Sequence, residues 1–127
     1  MFFLVQLKNA SLINKEAIKF NYNNFTLKVL SKLYDEGFIL SFRANEEVNS
    51  SNNFSQALVH IRYMHSKPIF RNLKFGSTSS FQSIYSYKNI CRNVAKKKLS
   101  LFSTNLGLLN SDECQKHHVG GALLFTC

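Results

Sequence analysis

The stretch that decides the fold lies at residues 101–113 and reads Leu101-Phe102-Ser103-Thr104-Asn105-Leu106-Gly107-Leu108-Leu109-Asn110-Ser111-Asp112-Glu113. Its apolar start has the pattern of a strand, and Gly107 permits the turn that follows. Asn110 can cap a short helix because Glu113 stands three residues later in the capping-box position, and Gly120-Gly121 is expected to stop that helix. Residues 122–126 then predict a terminal strand. The last third of the chain is therefore predicted as strand, turn, helix, strand.

Upstream of this stretch, the first half of the chain predicts a small α/β layer. Residues 2–13 carry apolar side chains at helical spacing, and residues 25–35 do the same up to a left-handed stop at Gly37. Strand patterns fall at residues 16–22, 38–42 and 57–63. The polar segment 45–55 predicts an exposed hairpin loop between the last two strands. This order places two helices on one face of a short sheet.

The tract at residues 76–80, Gly-Ser-Thr-Ser-Ser, has the composition of a linker. We therefore predict an α+β fold with two small domains. Residues 1–75 would form an N-terminal two-helix α/β domain, with a further strand expected at 69–75. Residues 76–127 would form a mostly β C-terminal domain with one short helix, beginning with an extended segment at 84–87.

The charge is strongly positive and uneven along the chain. Lys and Arg number 16 against seven Asp and Glu, which gives a net charge of +9 over 127 residues. Residues 1–61 carry +1, whereas residues 62–127 carry +8 from ten basic and two acidic side chains. No acidic residue occurs between Glu47 and Asp112. A solubilising surface would also be basic, but the exclusion of acids over so long a span favours a polyanionic partner.

Catalytic and metal motifs are weak. Cys114, His117, His118 and Cys127 are zinc-ligand types, but no Cys-x-x-Cys pair accompanies them, and Cys91 has no recognisable activating base nearby in sequence. Neither a Walker-type glycine loop nor a His-Glu-x-x-His motif occurs. We therefore expect no enzyme, no cofactor and no metal. The apolar runs are far shorter than the roughly 20 residues needed to cross a bilayer, so no membrane partner is expected.

The motifs resemble those of the S-eight family, small-subunit ribosomal protein eight of bacterial and organellar ribosomes. The segment 101–109 is similar to the family signature of two apolar residues, Ser-Thr, two variable residues, Gly and two aliphatics, followed by a short helix and Val-Gly-Gly. Further similarities occur at Leu7-Lys8-Asn9-Ala10, Asp35-Glu36-Gly37-Phe38-Ile39 and Ile61-Arg62-Tyr63. The chain departs from the pattern at Ser80, Cys114 and Ala122, where the family has Pro, Ala and an acidic residue.

The resemblance implies a structural protein that binds an irregular helix in the central domain of small-subunit rRNA and supports its assembly. It implies three groups of RNA-binding residues. Those at the irregular loop are Ser103, Thr104, Gly107, Tyr85, Gly120 and Gly121, with Tyr85 stacking on nucleotides and the two glycines letting the backbone approach. Those at a neighbouring phosphate track are Lys8 and Asn9. Those that neutralise phosphates generally are Lys88, Arg92, Lys96, Lys97 and Lys98.

The resemblance also implies neighbours and a compartment. The partners would be small-subunit rRNA and neighbouring small-subunit proteins such as ribosomal protein five, with no homo-oligomer. The amino acids encoded by A/T-rich codons are abundant, with 12 Phe and five Tyr, and Trp is absent. This bias favours an organelle-encoded protein of the mitochondrial ribosome ahead of a plastid or bacterial cytoplasm. The alternative interpretation is a basic module that binds non-ribosomal RNA or a membrane surface.

Overall fold

The structure is a computed structural model that describes residues 2–45, 55–76, 82–94 and 99–127. The chain divides into two compact units, Met1–Arg71 and Asn72–Cys127. Both units mix helices with antiparallel strands, which confirms the predicted α+β class. Most of the predicted loop at 45–55, the linker after Gly76 and the lysine run Lys96-Lys97-Lys98 lie outside the described residues.

The first unit packs two helices against a three-stranded antiparallel sheet. Its elements are α1 (Phe2–Leu12), β1 (Ala17–Asn21), α2 (Asn24–Asp35), β2 (Ile39–Asn45) and β3 (Gln56–Ile61), with the strand order β1-β3-β2. The Asn23 side chain caps α2 by accepting a hydrogen bond from the Thr26 N–H at 2.8 Å. Gly37 follows the helix with φ of 75°. The two helices and three strands predicted for this part of the chain are confirmed.

The helices bury side chains at the spacing that the sequence indicated. Leu4 and Leu7 of α1 and Leu30 and Leu33 of α2 are completely buried. Their spacing of three places each pair on one face of its helix. The Phe3 ring also stacks on Phe20 of β1, with 5.8 Å between the ring centroids. Burial of these apolar faces, rather than helix propensity, holds the first unit together.

The strand expected at residues 69–75 is wrong. Ile69–Asn72 is a 3-10 helical turn, preceded by a short hairpin of β4 (Tyr63–Met64) and β5 (Lys67–Pro68). Phe70 and Leu73 are both buried, and their three-residue spacing suits a 3-10 turn rather than the alternation of a strand. Only β6 (Lys74–Phe75) is extended, and it belongs to the second unit, where it pairs with another strand of that unit.

The second unit is an antiparallel sheet with helices packed on one face. Its remaining elements are β7 (Ile84–Tyr85), α3 (Tyr87–Asn89), a π-helical segment Ile90–Val94, β8 (Ser100–Thr104), β9 (Gly107–Asn110), α4 (Ser111–His117) and β10 (Gly121–Thr126). The sheet order is β6-β10-β8-β9, and β7 also pairs with β10. Ile90, Phe102, Cys114 and Leu123 form a buried cluster between the helices and the sheet.

Three details of the second unit differ from the sequence-based expectation. Residues 107–110 form β9 rather than only a turn, because they pair with β8 in a tight hairpin. Residues 87–94 are helical, and this segment buries Ile90 in the core. Helix α4 ends at His118, which adopts the left-handed conformation with φ of 54°, and not at Gly120-Gly121. Glu113 does occupy its capping position, because its carboxylate accepts a hydrogen bond from the Asn110 N–H at 2.9 Å.

Candidate nucleic-acid interface

The turn between β8 and β9 is fixed by its own hydrogen bonds. The Thr104 hydroxyl donates to the Gly107 carbonyl at 2.9 Å and accepts from the Leu106 N–H at 3.2 Å. Gly107 has φ of 112°, a conformation that side-chain-bearing residues rarely adopt, although a Cβ there would meet no atom within 4 Å. These hydrogen bonds therefore fix the shape of the hairpin end. Ser103 and Asn105 are exposed there.

Strand β10 brings the predicted residues of the second unit side by side. Gly121 lies opposite Tyr85 of β7, and Ala122 lies opposite Ser103 of β8. Because adjacent strands are about 4.8 Å apart, Tyr85 and Ser103 stand on strands separated by roughly 10 Å. The structure thus brings segments that are distant in sequence to one end of the sheet, where the side chains of Tyr85 and Ser103 lie on opposite faces because they pair with consecutive residues of β10.

The two glycines at the start of β10 are required by neighbouring main chain. A Cβ on Gly120 would lie 2.5 Å from the Tyr85 carbonyl oxygen and 3.1 Å from the Ser86 Cα. A Cβ on Gly121 would overlap the Ser103 carbonyl oxygen and lie 2.8 Å from the Thr104 Cγ2. Gly120 and Gly121 therefore let β7 and β8 approach β10. The contact of these glycines with RNA stays a prediction. The structure shows that they also allow neighbouring strands to pack closely.

Tyr85 of β7 contributes an aromatic ring to the candidate interface. Its ring is half-buried and meets Phe102 edge to face, with 6.1 Å between the centroids. The ring also packs against the buried cluster around Ile90 and Cys114. These contacts fix the ring orientation and leave part of its surface accessible.

Among the described basic residues of the second unit, Lys88, Arg92 and Lys116 lie on its helical segments and Lys74 lies on β6. Lys88 and Arg92 are exposed and four residues apart, whereas Lys96, Lys97 and Lys98 lie outside the described residues. The Tyr87 ring contacts His118 at a centroid distance of 4.9 Å, which brings the start of this segment beside the end of α4. A hydrogen bond with Cys91 raises the pKa of Tyr87 above its ordinary value. Sequence reasoning missed the Tyr87 to His118 contact, since it joins distant segments without a local motif.

Lys8 and Asn9, the other predicted RNA-binding residues, lie on α1 of the first unit. Asn9 is exposed and Lys8 is half-buried. The Ser11 hydroxyl donates a hydrogen bond to the Lys8 carbonyl oxygen of the same helix at 2.7 Å. Six predicted positions, Tyr85, Ser103, Thr104, Gly107, Gly120 and Gly121, thus meet in the second unit, and these two belong to the first.

Of the cysteine and histidine residues near the carboxyl end, Cys114 packs in the core and His118 contacts the Tyr87 ring. Cys114 is completely buried, and burial, with a smaller effect of Glu113, raises the pKa of its thiol. A neutral buried thiol is a poor metal ligand. Within the described ranges, no group of three or more His, Cys, Asp or Glu side chains is arranged to hold a metal ion. No helix in this part of the chain combines the length and apolar character that a bilayer crossing requires.

Comparison with known proteins identifies the family. The family model described as Ribosomal protein S8 matches residues 2–127. The chain is 26% identical over 121 residues to the small ribosomal subunit protein uS8 of Stenotrophomonas maltophilia strain K279a, covering 95% of this chain and 89% of that protein. It is 27% identical over 125 residues to uS8c of Phaseolus vulgaris, covering 95% and 90%. The chain belongs to the ribosomal protein S8 family, a family of structural ribosomal proteins rather than enzymes.

Proposed function

We propose that this protein is a structural constituent of the small ribosomal subunit that binds the central domain of small-subunit rRNA and supports assembly of that domain. The observation that carries the proposal is the end of the second sheet. There the rigid β8–β9 hairpin, Tyr85 and the Gly120-Gly121 entry of β10 lie together. Proteins recognise individual nucleotides of irregular RNA with such combinations of hydroxyl, main-chain and aromatic groups.

The two hydroxyls of the hairpin have different parts in this proposal. Thr104 already donates its proton to Gly107, so toward RNA it can only accept a hydrogen bond. Ser103 is exposed beside it and can both donate and accept, for example to a 2′-hydroxyl or a base edge. Ser103 is therefore the direct contact, and Thr104 mainly holds the hairpin in shape.

The remaining affinity would come from phosphate neutralisation. Lys88 and Arg92, together with Lys96, Lys97 and Lys98, place five positive charges in a stretch without acids. Each neutralised phosphate contributes a slope of roughly 0.7 to 0.9 to the dependence of log affinity on log salt concentration. Lys8 and Asn9 would add a further backbone contact from the first unit. These contacts strengthen binding to any RNA and carry little sequence information.

The test compares two RNAs and three variants. Ser103→Ala should weaken binding to a central-domain rRNA fragment by about 1 kcal/mol and leave binding to an unrelated RNA helix unchanged. Replacement of Lys96, Lys97 and Lys98 by Ala should weaken both RNAs alike and reduce the salt slope. Ser31→Ala is the matched control, since Ser31 is an exposed hydroxyl on α2. Equal losses on both RNAs for Ser103→Ala, or a binding constant independent of salt, would contradict the proposal.

We further propose that the protein works in mitochondrial translation beside neighbours such as ribosomal protein five. The support is the compositional bias, with 12 Phe and no Trp. The relatives include bacterial proteins and a chloroplast protein. Fractionation with an antibody should find the protein in the small subunits of purified mitochondrial ribosomes. Recovery from plastid or cytoplasmic ribosomes alone would refute this location.

A further inference from the structure

The first sheet has one face that α1 and α2 do not cover. The Phe3 ring of α1 stacks on Phe20 of β1. The Tyr34 ring of α2 meets Phe42 of β2 edge to face, with 6.1 Å between the centroids. Phe20 and Phe42 therefore point toward the helices. Because side chains alternate along a strand, the residues on either side of Phe20 and Phe42 point to the opposite face.

The two strand ladders arrange the side chains of this opposite face in rows. Lys19 of β1 and Arg43 of β2 both lie opposite Leu58 of β3. His60 of β3 occupies the neighbouring row, opposite one residue of each flanking strand. The pairing of β2 with β3 is regular from Ser41 onward. The outer face, as this surface is called below, consists of Ala17, Lys19, Asn21, Ser41, Arg43, Gln56, Leu58 and His60.

The outer face is basic. Lys19 and Arg43 are exposed, and His60 is half-buried. Because adjacent strands are about 4.8 Å apart, the main chain of these three residues lies within roughly 10 Å. The described acidic residues of the first unit all lie outside its three strands; they are Glu16, Asp35 and Glu36. A surface that only maintains solubility would intersperse both signs of charge. The outer face therefore has the charge that attracts a polyanion.

The uncharged residues of the outer face indicate which part of a nucleic acid it suits. Proteins that read bases on a sheet stack them on aromatic rings, and the outer face carries no Phe or Tyr. Asn21 and Gln56 are exposed, and their amide groups can donate hydrogen bonds to phosphate oxygens. Only Ala17 and Leu58 are apolar, and both are half-buried, so a protein partner would find little apolar surface on which to anchor. The outer face is therefore suited to a sugar-phosphate backbone.

We propose that the outer face of the first sheet binds the sugar-phosphate backbone of small-subunit rRNA. Lys19 and Arg43 neutralise two phosphates, one on each side of Leu58. Arg43 can hold its phosphate with two parallel N–H donors, and His60 and Gln56 donate hydrogen bonds to the backbone between the two phosphates. Contacts of this kind position a protein on RNA without reading its sequence. The inference rests on the proposed function for its RNA partner, but none of its residues belongs to the second unit.

The first test measures binding of the full chain to a transcript of the complete small-subunit rRNA at several salt concentrations. Lys19→Gln and Arg43→Gln each remove one phosphate contact. Each should lower the slope of log affinity against log salt by roughly 0.7 to 0.9, and weaken binding about five- to eightfold at a salt concentration of roughly 0.1 M. Arg43→Lys keeps the charge and should retain the slope. Lys28→Gln is the matched control, since Lys28 is an exposed lysine on α2.

The second test uses photo-crosslinking in assembled small subunits, so it remains decisive if a charge variant fails to fold. Gln56, which is exposed on the central strand, is replaced by p-azidophenylalanine, and the subunits are irradiated. We expect an adduct to rRNA. The same replacement at Lys28 is the control and should give no adduct to those nucleotides. An adduct to protein alone, or the absence of any adduct from position 56, would overturn the proposal.

The salt slopes also separate this inference from the proposed function. Unchanged slopes for folded Lys19→Gln and Arg43→Gln, or an equal reduction for Lys28→Gln, would refute binding at the outer face. If that happens while Ser103→Ala weakens only the central-domain fragment, the proposed function stands and the outer-face contact alone falls. If Ser103→Ala shows no selectivity while the two slopes fall as expected, the specific contact of the second unit is wrong and the outer-face contact stands.

Discussion

Replacing Gly121 with Ala tests the close approach of β10 and β8. The added methyl group would overlap the Ser103 carbonyl oxygen and lie 2.8 Å from the Thr104 Cγ2. Normal carbon contacts are about 3.5 to 4.0 Å, so the strands would have to separate by about 1 Å. A ladder hydrogen bond of about 2.9 Å would then exceed the range of a hydrogen bond.

The expected cost follows from these distances. Overpacking costs about 1 to 3 kcal/mol, and each lost ladder bond adds about 1 kcal/mol. We expect Gly121→Ala to lower the free energy of unfolding by about 2 to 4 kcal/mol. Urea unfolding followed by circular dichroism measures this change, and the same variant should bind the rRNA fragment more weakly because the hairpin is displaced.

A double-mutant cycle separates crowding from other causes. Thr104→Ser removes the Cγ2 methyl and keeps the hydroxyl, so Gly121→Ala should cost less in that background by at least about 0.5 kcal/mol. Gly107→Ala is the matched control, since its added methyl would meet no atom within 4 Å and its cost comes from φ alone. Gly121→Ala with wild-type stability, or the same cost in both backgrounds, would refute the reasoning.

Three further predictions concern the second unit. Thr104→Val removes both hydroxyl bonds of the turn and should lower the free energy of unfolding by about 1 to 2 kcal/mol in urea melts; an unchanged midpoint would show that these bonds do not hold the hairpin. Glu113→Ala removes the acceptor for the Asn110 N–H and should cost about 1 kcal/mol, with exposed Lys116→Ala on the same helix as the control; equal unfolding midpoints for the two variants would contradict the capping role. The raised pKa of Cys114 favours its neutral form in the folded protein, so stability present below about pH 8.5 should decline as the pH rises further. Cys114→Ala should remove that part of the decline, and an identical pH profile would contradict it.

Local patterns in the sequence predicted the elements whose signals are local. The apolar spacing of α1 and α2 and the stop at Gly37 involve residues within a few positions of one another, and each is observed. The 3-10 turn at Ile69–Asn72 was mistaken for a strand because its apolar residues are too few to define a period. The helical segment at 87–94 depends on burying Ile90 against distant residues, which periodicity cannot reveal.

The sequence could nominate residues for the candidate site but could not show how they pack. The resemblance pointed to Ser103, Thr104 and the glycine pair at 120 and 121. The sequence could not show that Gly121 makes room for the Ser103 carbonyl, since β10 and β8 meet only in the folded sheet. Nor could it show that the Thr104 proton is already used within the hairpin.

The central position of β10 has a consequence for the order of folding. The β8–β9 hairpin joins neighbouring residues and can form in about 1 to 10 μs, whereas β10 must find β6, β7 and β8 across larger separations in sequence. The hydroxyl-bearing bend therefore exists before the strand that frames it. Under the proposed function, an rRNA loop that arrives early would meet only part of its binding surface, and docking of β10 would be the kinetic step that completes recognition.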